Sequence, residues 1–325
     1  MSEADRPSRR LRASTARRVG RFLGVSDLFT SVRALQSQSE AQERELGALR
    51  SQVRQLTERL DDLATRENHH RLGLAVWTAT TLLAHVPVPE NALISVVLST
   101  HNRGALVPRA IASVMNQSYS NLELIVIDDA SDDDTPRVLS AFTDPRMRVV
   151  RRNSQGGASA TRNTGLAEAR GEYVAYLDDD NVMYPHWLRG VAWAFELHPE
   201  AEVMIGARII DDERRNQGLG RGGWPQLALP WFDRQRMARE SVADLMQVAH
   251  RRDLPGAHFD ERIRIVEDWD LLARLTRDRD PLLFPAVSGI YTTSASDRFM
   301  DTGSLEQESR RVREKIAAMK AESGC

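Results

Sequence analysis

The chain of 325 residues has a single cysteine, and it is the last residue, Cys325. A disulfide framework and a cysteine-ligated metal site are thereby excluded, and a reducing cytoplasm is the expected setting. Long apolar runs are missing too. The longest, Leu72 to Val86, covers fifteen residues and includes His85, against the ~20 that a membrane-spanning helix requires. It is expected to form a helix packed on the domain that follows. The arginine-rich first 21 residues have no apolar stretch behind them, unlike a secretory signal. Neither sign of charge dominates. Lys and Arg number 44 against 46 Asp and Glu, a formal charge of −2, which offers no footprint for nucleic acid. Two nucleotide signatures are also lacking: Gly-x-Gly-x-x-Gly between a strand and a helix, and Gly-x-x-x-x-Gly-Lys-Ser/Thr. Residues Gly218 to Gly223 link no strand to a helix and are expected to form a mobile loop.

What charge there is falls unevenly. Residues 1 to 33 hold eight arginines against Glu3, Asp5 and Asp27. A flexible basic tail is expected over 1–39, with peripheral contact to an anionic membrane surface at the cytoplasmic face as the alternative. Leu46, Leu49, Val53, Leu56, Leu60 and Leu63 then alternate at spacings of three and four, an a/d heptad seam. A coiled-coil-like helix is expected over 40–68. Either it pairs with a second chain through residues 46–63, or it folds onto its own domain. Asn68-His69-His70 reads as solvated histidines at a helix end. A helical linker over 69–90 is broken by Pro87 and Pro89.

From there the pattern changes to strands alternating with helices, through Leu93–Leu98, Ala105–Met115, Leu122–Ile127, Pro136–Phe142, Met147–Val150, Ala158–Ala169, Tyr173–Leu177 and Pro185–His198. Such alternation means βαβ units and a mostly parallel, Rossmann-like sheet flanked by helices, an α/β fold. The regular half ends near residue 210. Helices are expected again around Glu240–Val248 and Asp268–Arg277, with a C-terminal helix or tail over 301–325.

Acids cluster where two of these strands end. Leu122–Ile127 runs into Asp128-Asp129-Ala130-Ser131-Asp132-Asp133-Asp134, and Tyr173–Leu177 into Asp178-Asp179-Asp180. Ligands of open parallel sheets bind beyond the carboxyl ends of the strands. Eight carboxylates aimed at one crevice repel each other and any phosphate, unless a hard cation such as Mg²⁺ or Mn²⁺ sits among them with substrate phosphates. The first strand exits into Ser99-Thr100-His101-Asn102-Arg103, whose hydroxyl and amide groups suit a base or ribose. These features together describe a metal-assisted enzyme acting on a nucleotide diphosphate. Asp132, Asp133 and Asp134 precede Thr135-Pro136 and are expected to cap a helix instead.

Four segments in order, Ile94 to Arg103, Val126 to Ser131, Ala160 to Leu166 and Gly171 to Asn181, resemble the family 2 glycosyltransferases of the GT-A fold. The resemblance covers residues 94 to about 192 and extends more loosely to about 300, so the catalytic domain is placed at 91–300. It implies an inverting transfer of sugar from a nucleoside-diphosphate sugar. The acceptor would be a glycan, a lipid-linked glycan or a small molecule. It further implies that Ser99, Thr100 and Asn102 line the donor site and that Asp129 reads a uracil or thymine N3–H. Asp178-Asp179-Asp180 matches the Asp-x-Asp metal motif, with Asp180 the direct Mg²⁺ or Mn²⁺ ligand. Asp178 is a second candidate ligand and shares ribose and outer contacts with Asp179. Arg162, behind Gly156-Gly157, would face the diphosphate. Phe259-Asp260-Glu261 and Glu267-Asp268-Trp269-Asp270-Leu271 resemble the later pattern that holds the base, implying Asp268, with Glu267 second, and Trp269 as a wall for sugar or acceptor. Many GT-A enzymes place a metal-ligating histidine after the base. Here the last histidine is His258, before it, so His258 substitutes or the metal does without. Two rival readings are a sugar-nucleotide scaffold assembled through its coiled coil and, further off, a nucleotidyltransferase.

Overall fold

The computed structural model describes residues 38, 41, 42, 44, 71, 73–85, 87–211, 226–292 and 302–322. The basic segment 1–33, the leucine seam 46–63, Asn68-His69-His70 and the glycine-rich stretch 218–223 lie outside the described residues. The chain divides into two units, Met1–Asn68 and His69–Cys325. Every described strand belongs to the second unit.

Helix α1 covers residues 73–85, inside the expected fifteen-residue run. Its Val76, Ala79 and Leu83 are buried, a spacing of three and four that puts one stripe against the domain. Among the described residues, no helix is long and apolar enough to cross a membrane.

The elements after α1 are β1 (Ile94–Thr100), α2 (Val107–Met115), β2 (Leu122–Asp128), α3 (Thr135–Leu139), β3 (Met147–Arg151), α4 (Gly157–Glu168), β4 (Tyr173–Asp178), β5 (Val182–Met183), α5 (Trp187–Leu197) and β6 (Val203–Asp211). Next come β7 (Gln226–Ala228), α6 (Arg234–Met237), a 3₁₀ turn (Leu245–Gln247), β8 (Val248–Arg251), α7 (Glu267–Leu275), β9 (Leu282–Thr292) and α8 (Thr302–Glu322). The strands form one sheet in the order β3-β2-β1-β4-β8-β6-β9-β5, with β7 on β6. Its longest pairings are parallel, as the alternation of strands and helices predicts.

Register explains where a ligand can go. In β1, Ser99 lies opposite Asp178 of β4, and Thr100 opposite Asp128 of β2. Both acidic segments therefore begin at one level, on either side of the β1 terminus. The strand order reverses between β1 and β4, which opens the crevice at the carboxyl ends.

Burial on both faces explains the near-continuous apolar strands. Val96, Leu98, Leu124, Val126, Ala175 and Leu177 join one core, with α2 and α5. Their neighbours Val97, Ile125, Ile127, Val174 and Tyr176 join the other, with α7 and α8. Helix α4 lies so close to β1 that a Cβ at Gly165 would sit 2.4 Å from Val97 Cγ1. Any larger residue there would push the helix off the strand.

The second half corrects the sequence reading. The expected helix at Glu240–Val248 is a single 3₁₀ turn leading into β8, which pairs antiparallel with both β4 and β6. The Asp244 side chain accepts the Met246 N–H, and the Asp244 N–H donates to Gln247 Oε1, closing one turn. Sheet pairing then claims the backbone, so tertiary context overrides local propensity. Nor did periodicity announce β6 and β9, whose register shifts twice along their pairing, between Ile205 and Ala207 and again between Ala207 and Ile209. The expected helix at Pro136–Phe142 is shorter, Thr135–Leu139.

Inside the sheet, Tyr176 Oη lies 2.7 Å from His250 Nε2, and His250 Nδ1 lies 2.7 Å from the Arg251 carbonyl. The ring thus donates through Nδ1 and accepts the phenol proton. Burial lowers its pKa from 6.5 to about 4, so the folded state refuses a proton that the unfolded chain takes up. Stability should consequently fall as pH drops from 6.5 to about 4, by about 1.4 kcal/mol per unit at most. Urea midpoints at pH 7 and pH 5 check this. The His250→Gln variant, which keeps an acceptor for Tyr176, should lose that part of the pH dependence.

Candidate active site

The first wall of the site is the β1 exit. Thr100 Oγ1 donates to Asp179 Oδ2 at 2.7 Å, and His101 Nδ1 donates to the Asp129 carbonyl at 2.8 Å. Asn102 occupies a positive φ of 53°, a conformation that Asn tolerates. Its amide donates to Asp132, and its carbonyl oxygen accepts the backbone N–H of Asp132 and Asp133. Asn102 is therefore a latch between two loops, and its side chain turns away from the crevice. The three following acids divide their work. Asp133 accepts the Thr135 N–H, as a cap does, whereas Asp132 holds Asn102 and Asp134 pairs with Arg137.

The second wall hangs on Asp129, which is buried at the end of β2. Its carboxylate accepts the N–H groups of Gly156 and Gly157 and is paired with Arg152 at 2.5 Å. Gly157 has φ +83°, a region open to glycine. The residue that the resemblance makes a base reader thus also fixes the start of α4.

The third element is a buried bridge. Arg162, on the inner face of α4, donates from Nη2 to Asp178 Oδ1 at 2.7 Å and from Nη1 to Glu267 Oε1 at 2.5 Å. The two flanking carboxylates raise its pKa, overcoming the burial that works against the charge. One guanidinium thereby ties α4, the end of β4 and the start of α7. Glu267 Oε2 is buried without a hydrogen-bond partner, and such an atom is costly unless a ligand reaches it.

Two acids have strongly raised pKa values. Burial pushes Asp179 up to about 7, against the pull of Thr100 and Arg103. Asp268 is pushed up to about 8 by burial first, then by the charges of Glu267 and Asp244. A carboxylate tuned toward neutrality in a cleft is the signature of a proton-transfer group.

Helix α8 closes the far side. Glu308 accepts the N–H groups of Arg264 and Ile265 at 2.7 and 2.8 Å, while Lys315 bridges Asp260 and Asp270 at 2.9 and 2.5 Å. These contacts hold the loop before α7 over the cleft.

The resulting cleft measures about 510 Å³. It brings together Ser99, Thr100, Asp129, Arg162, Asp178, Asp179, Asp180, Glu267 and Asp268 of the residues expected from sequence. Trp269 is elsewhere: its ring is buried in the core, and its indole N–H donates to the Met237 carbonyl at 2.6 Å. It braces α7 from behind and has no face for a sugar. His258 lines a separate cleft with Asn163 and Glu261. The sequence reading omitted Asp244, Arg264 and Tyr291, which line the cleft. For Asp244 a signal existed, since Asp-x-x-Gln ahead of an apolar pair is a capping pattern.

Among the described residues, no group of three or more His, Cys, Asp or Glu side chains is arranged to hold a metal. A protein-only cage is thus absent there. One or two carboxylates completed by substrate phosphates remain, which is how Mg²⁺ is commonly held.

The glycosyl transferase family 2 model matches residues 95–250. WcaA of Escherichia coli (strain K12), a putative colanic acid biosynthesis glycosyl transferase, is 40% identical over 189 residues, covering 57% of this chain and 67% of WcaA. The chain belongs to glycosyl transferase family 2. The succinoglycan biosynthesis protein ExoO of Rhizobium meliloti (strain 1021) is 31% identical over 196 residues, 55% of this chain and 54% of ExoO. The chain thus spans about half the length of the curated relatives it matches. In fold, the crystal structure of S. aureus TarS 1-349 in complex with UDP-GlcNAc superposes with a TM-score of 0.54 at 19% identity, covering 70% of this chain and 66% of TarS 1-349. At that identity the likeness is one of fold, and it is the GT-A architecture expected from the sequence. The family 2 match contains the β1 exit, Asp129, Arg162 and Asp178 to Asp180, and stops before Asp268.

Removing Arg162 leaves the buried Glu267 carboxylate without its partner and deprives the partly exposed Asp178 of its own. Arg162→Met should cost about 3–5 kcal/mol of unfolding free energy. Arg236→Met should cost less than about 0.5 kcal/mol, because its Glu240 partner is 54% exposed. Urea titration of both variants at neutral pH measures the difference.

Proposed function

We propose that the chain transfers a sugar from a uridine- or thymidine-diphosphate sugar to an acceptor hydroxyl, with inversion at the anomeric carbon. The observation that carries this is the convergence, in one cleft, of Asp129, the Asp178–Asp180 segment and Asp268. The UDP-GlcNAc bound to TarS supports a uridine nucleotide. The acceptor is a growing glycan, free or lipid-linked, and the relative named for succinoglycan biosynthesis supports that class.

In this reading Asp129 accepts the base N3–H, and Ser99, Thr100 and Asp179 hold the ribose. Asp180 would hold a divalent cation, with Asp178 in reach but already committed through one oxygen to Arg162. When bound, the cation neutralises charge on the leaving nucleoside diphosphate. Arg162 keeps the donor end and the base end in fixed relation. Asp268 takes the proton of the acceptor hydroxyl as that oxygen attacks the anomeric carbon. The C–O bond to the diphosphate breaks on the opposite face, and the electron pair leaves with the diphosphate.

Donor hydrolysis with Mn²⁺ tests the reading, comparing the wild type with Asp180→Ala. Turnover should fall at least about tenfold in the variant. Equal turnover would remove Asp180 from the metal site, and a wild type that binds no UDP would leave only the scaffold reading. The base has its own test. A base with a pKa of about 8 is protonated and idle below that pH. The kcat/KM for transfer should therefore rise with pH up to about 8 and then level. Asp268→Asn should lose about 10²- to 10⁴-fold in kcat while keeping its UDP affinity.

A further inference from the structure

Asp244 has no assigned contact with the nucleotide, and its charge helps raise the Asp268 pKa; it also lines the same cleft as Asp268 and Tyr291. It stands at the turn before β8, the segment that sequence alone misread. Its Oδ1 accepts the Met246 N–H at 3.2 Å. Its Oδ2 lies 2.8 Å from Arg208 Nη1, but Nη1 makes no aligned hydrogen bond, so the contact is one of charge. A carboxylate offers about four lone-pair sites. Capping leaves part of that acceptor capacity unused, and Asp244 lines the cleft.

The support behind Asp244 is rigid. The Arg208 guanidinium stacks over the Tyr291 ring at 4.6 Å from its centroid, and Gln247 Nε2 donates to the Gly206 carbonyl at 2.7 Å. β6, β9 and the turn before β8 thereby fix one carboxylate and one aromatic ring in the wall of the cleft. A fixed carboxylate beside an apolar ring matches a pyranose, which presents paired hydroxyls on its rim and C–H groups on its face. The charge balance there is also informative. The cleft lining holds seven carboxylates, Asp244, Glu267 and Asp268 among them, against the three guanidiniums of Arg103, Arg162 and Arg264, and Arg162 already faces Asp178 and Glu267.

Resting on the nucleotide-sugar reading of the cleft, we propose that Asp244 is the sugar-discriminating residue: its carboxylate accepts hydrogen bonds from two adjacent ring hydroxyls of the transferred sugar, and the donor is a neutral hexose rather than a uronic acid. A uronate carboxylate would enter a cleft whose lining carries seven carboxylates against three guanidiniums. Arg208 and Tyr291 keep Asp244 in place.

The test uses the full chain with Mn²⁺ and follows UDP release from UDP-glucose, UDP-galactose, UDP-GlcNAc and UDP-glucuronate, with UDP affinity measured in parallel by calorimetry. At least one neutral donor should exceed UDP-glucuronate in kcat/KM by about tenfold or more. Asp244→Asn keeps a capping side chain. It should lower kcat/KM for the best neutral donor by about 10- to 100-fold, the worth of hydrogen bonds to a charged group. Its UDP affinity should equal that of the wild type, which also shows that the variant is folded. The double variant Asp244→Asn, Arg208→Gln removes the stranded guanidinium and should show the same loss. UDP-glucuronate as the best donor, or unchanged kcat/KM in both variants, overturns the assignment while UDP binding keeps the nucleotide reading intact. A wild type that binds no UDP overturns both.

Discussion

One largely buried guanidinium organises the site. Arg162 reaches from α4 to Asp178 on one side and Glu267 on the other, and those two acids come from different halves of the domain's sequence. Without the cation between them, the end of β4 and the start of α7 would repel each other at close range. With it, two acidic segments of the same sign share one wall of a cleft. The relative placement of the two acidic segments is thus an electrostatic consequence of one cation held between them.

The rest of the site is arranged around that bridge by the sheet. Strand β1 lies between β2 and β4 in parallel register, so Asp128 and Asp178 begin their loops at the same height. Asp129 then uses its carboxylate on the backbone of Gly156 and Gly157, which sets where α4 starts and hence where Arg162 points. Close approach of α4 to β1 at Gly165 fixes the remaining freedom of that helix. Nucleotide-side order therefore comes from contacts between neighbouring βαβ units. The base side depends on pairings over long sequence distances, β8 on β4 and α8 on α7.

That difference explains what could be read from sequence. Through residue 198 the strands and helices bury their apolar patterns within short βαβ units, and periodicity located all of them to within a few residues except β5, which pairs with the distant β9. Acids at the ends of β2 and β4 were legible for the same reason, because strand ends in parallel sheets face ligands. Past residue 210 the pattern fails for the strands, while the helices expected at Asp268–Arg277 and over 301–325 are present as α7 and α8. Leu245, Met246, Val248 and Ala249 read as a helix face, but β4 has an open edge that takes this backbone as β8, and no local signal reports a distant edge. Trp269 was misplaced for a related reason: neighbouring acids suggested a site residue, while its ring fills a core whose other walls are Met237 and Phe259. Asn102 sits in a segment that lines the cleft, and a positive φ turns its side chain to the neighbouring loop.

Helix α8 comes last in the chain, yet its Glu308 holds the backbone of Arg264 and Ile265, and its Lys315 neutralises Asp260 and Asp270. Synthesis runs from the other end. A ribosome that has released residues through 275 has already delivered every acid of the cleft, Asp129, Asp180 and Asp268 included, to a chain whose cleft loop is not yet tied down. The order of translation thus separates making the reactive groups from fixing their geometry, and the nascent domain passes through an interval in which it has the chemistry without the shape.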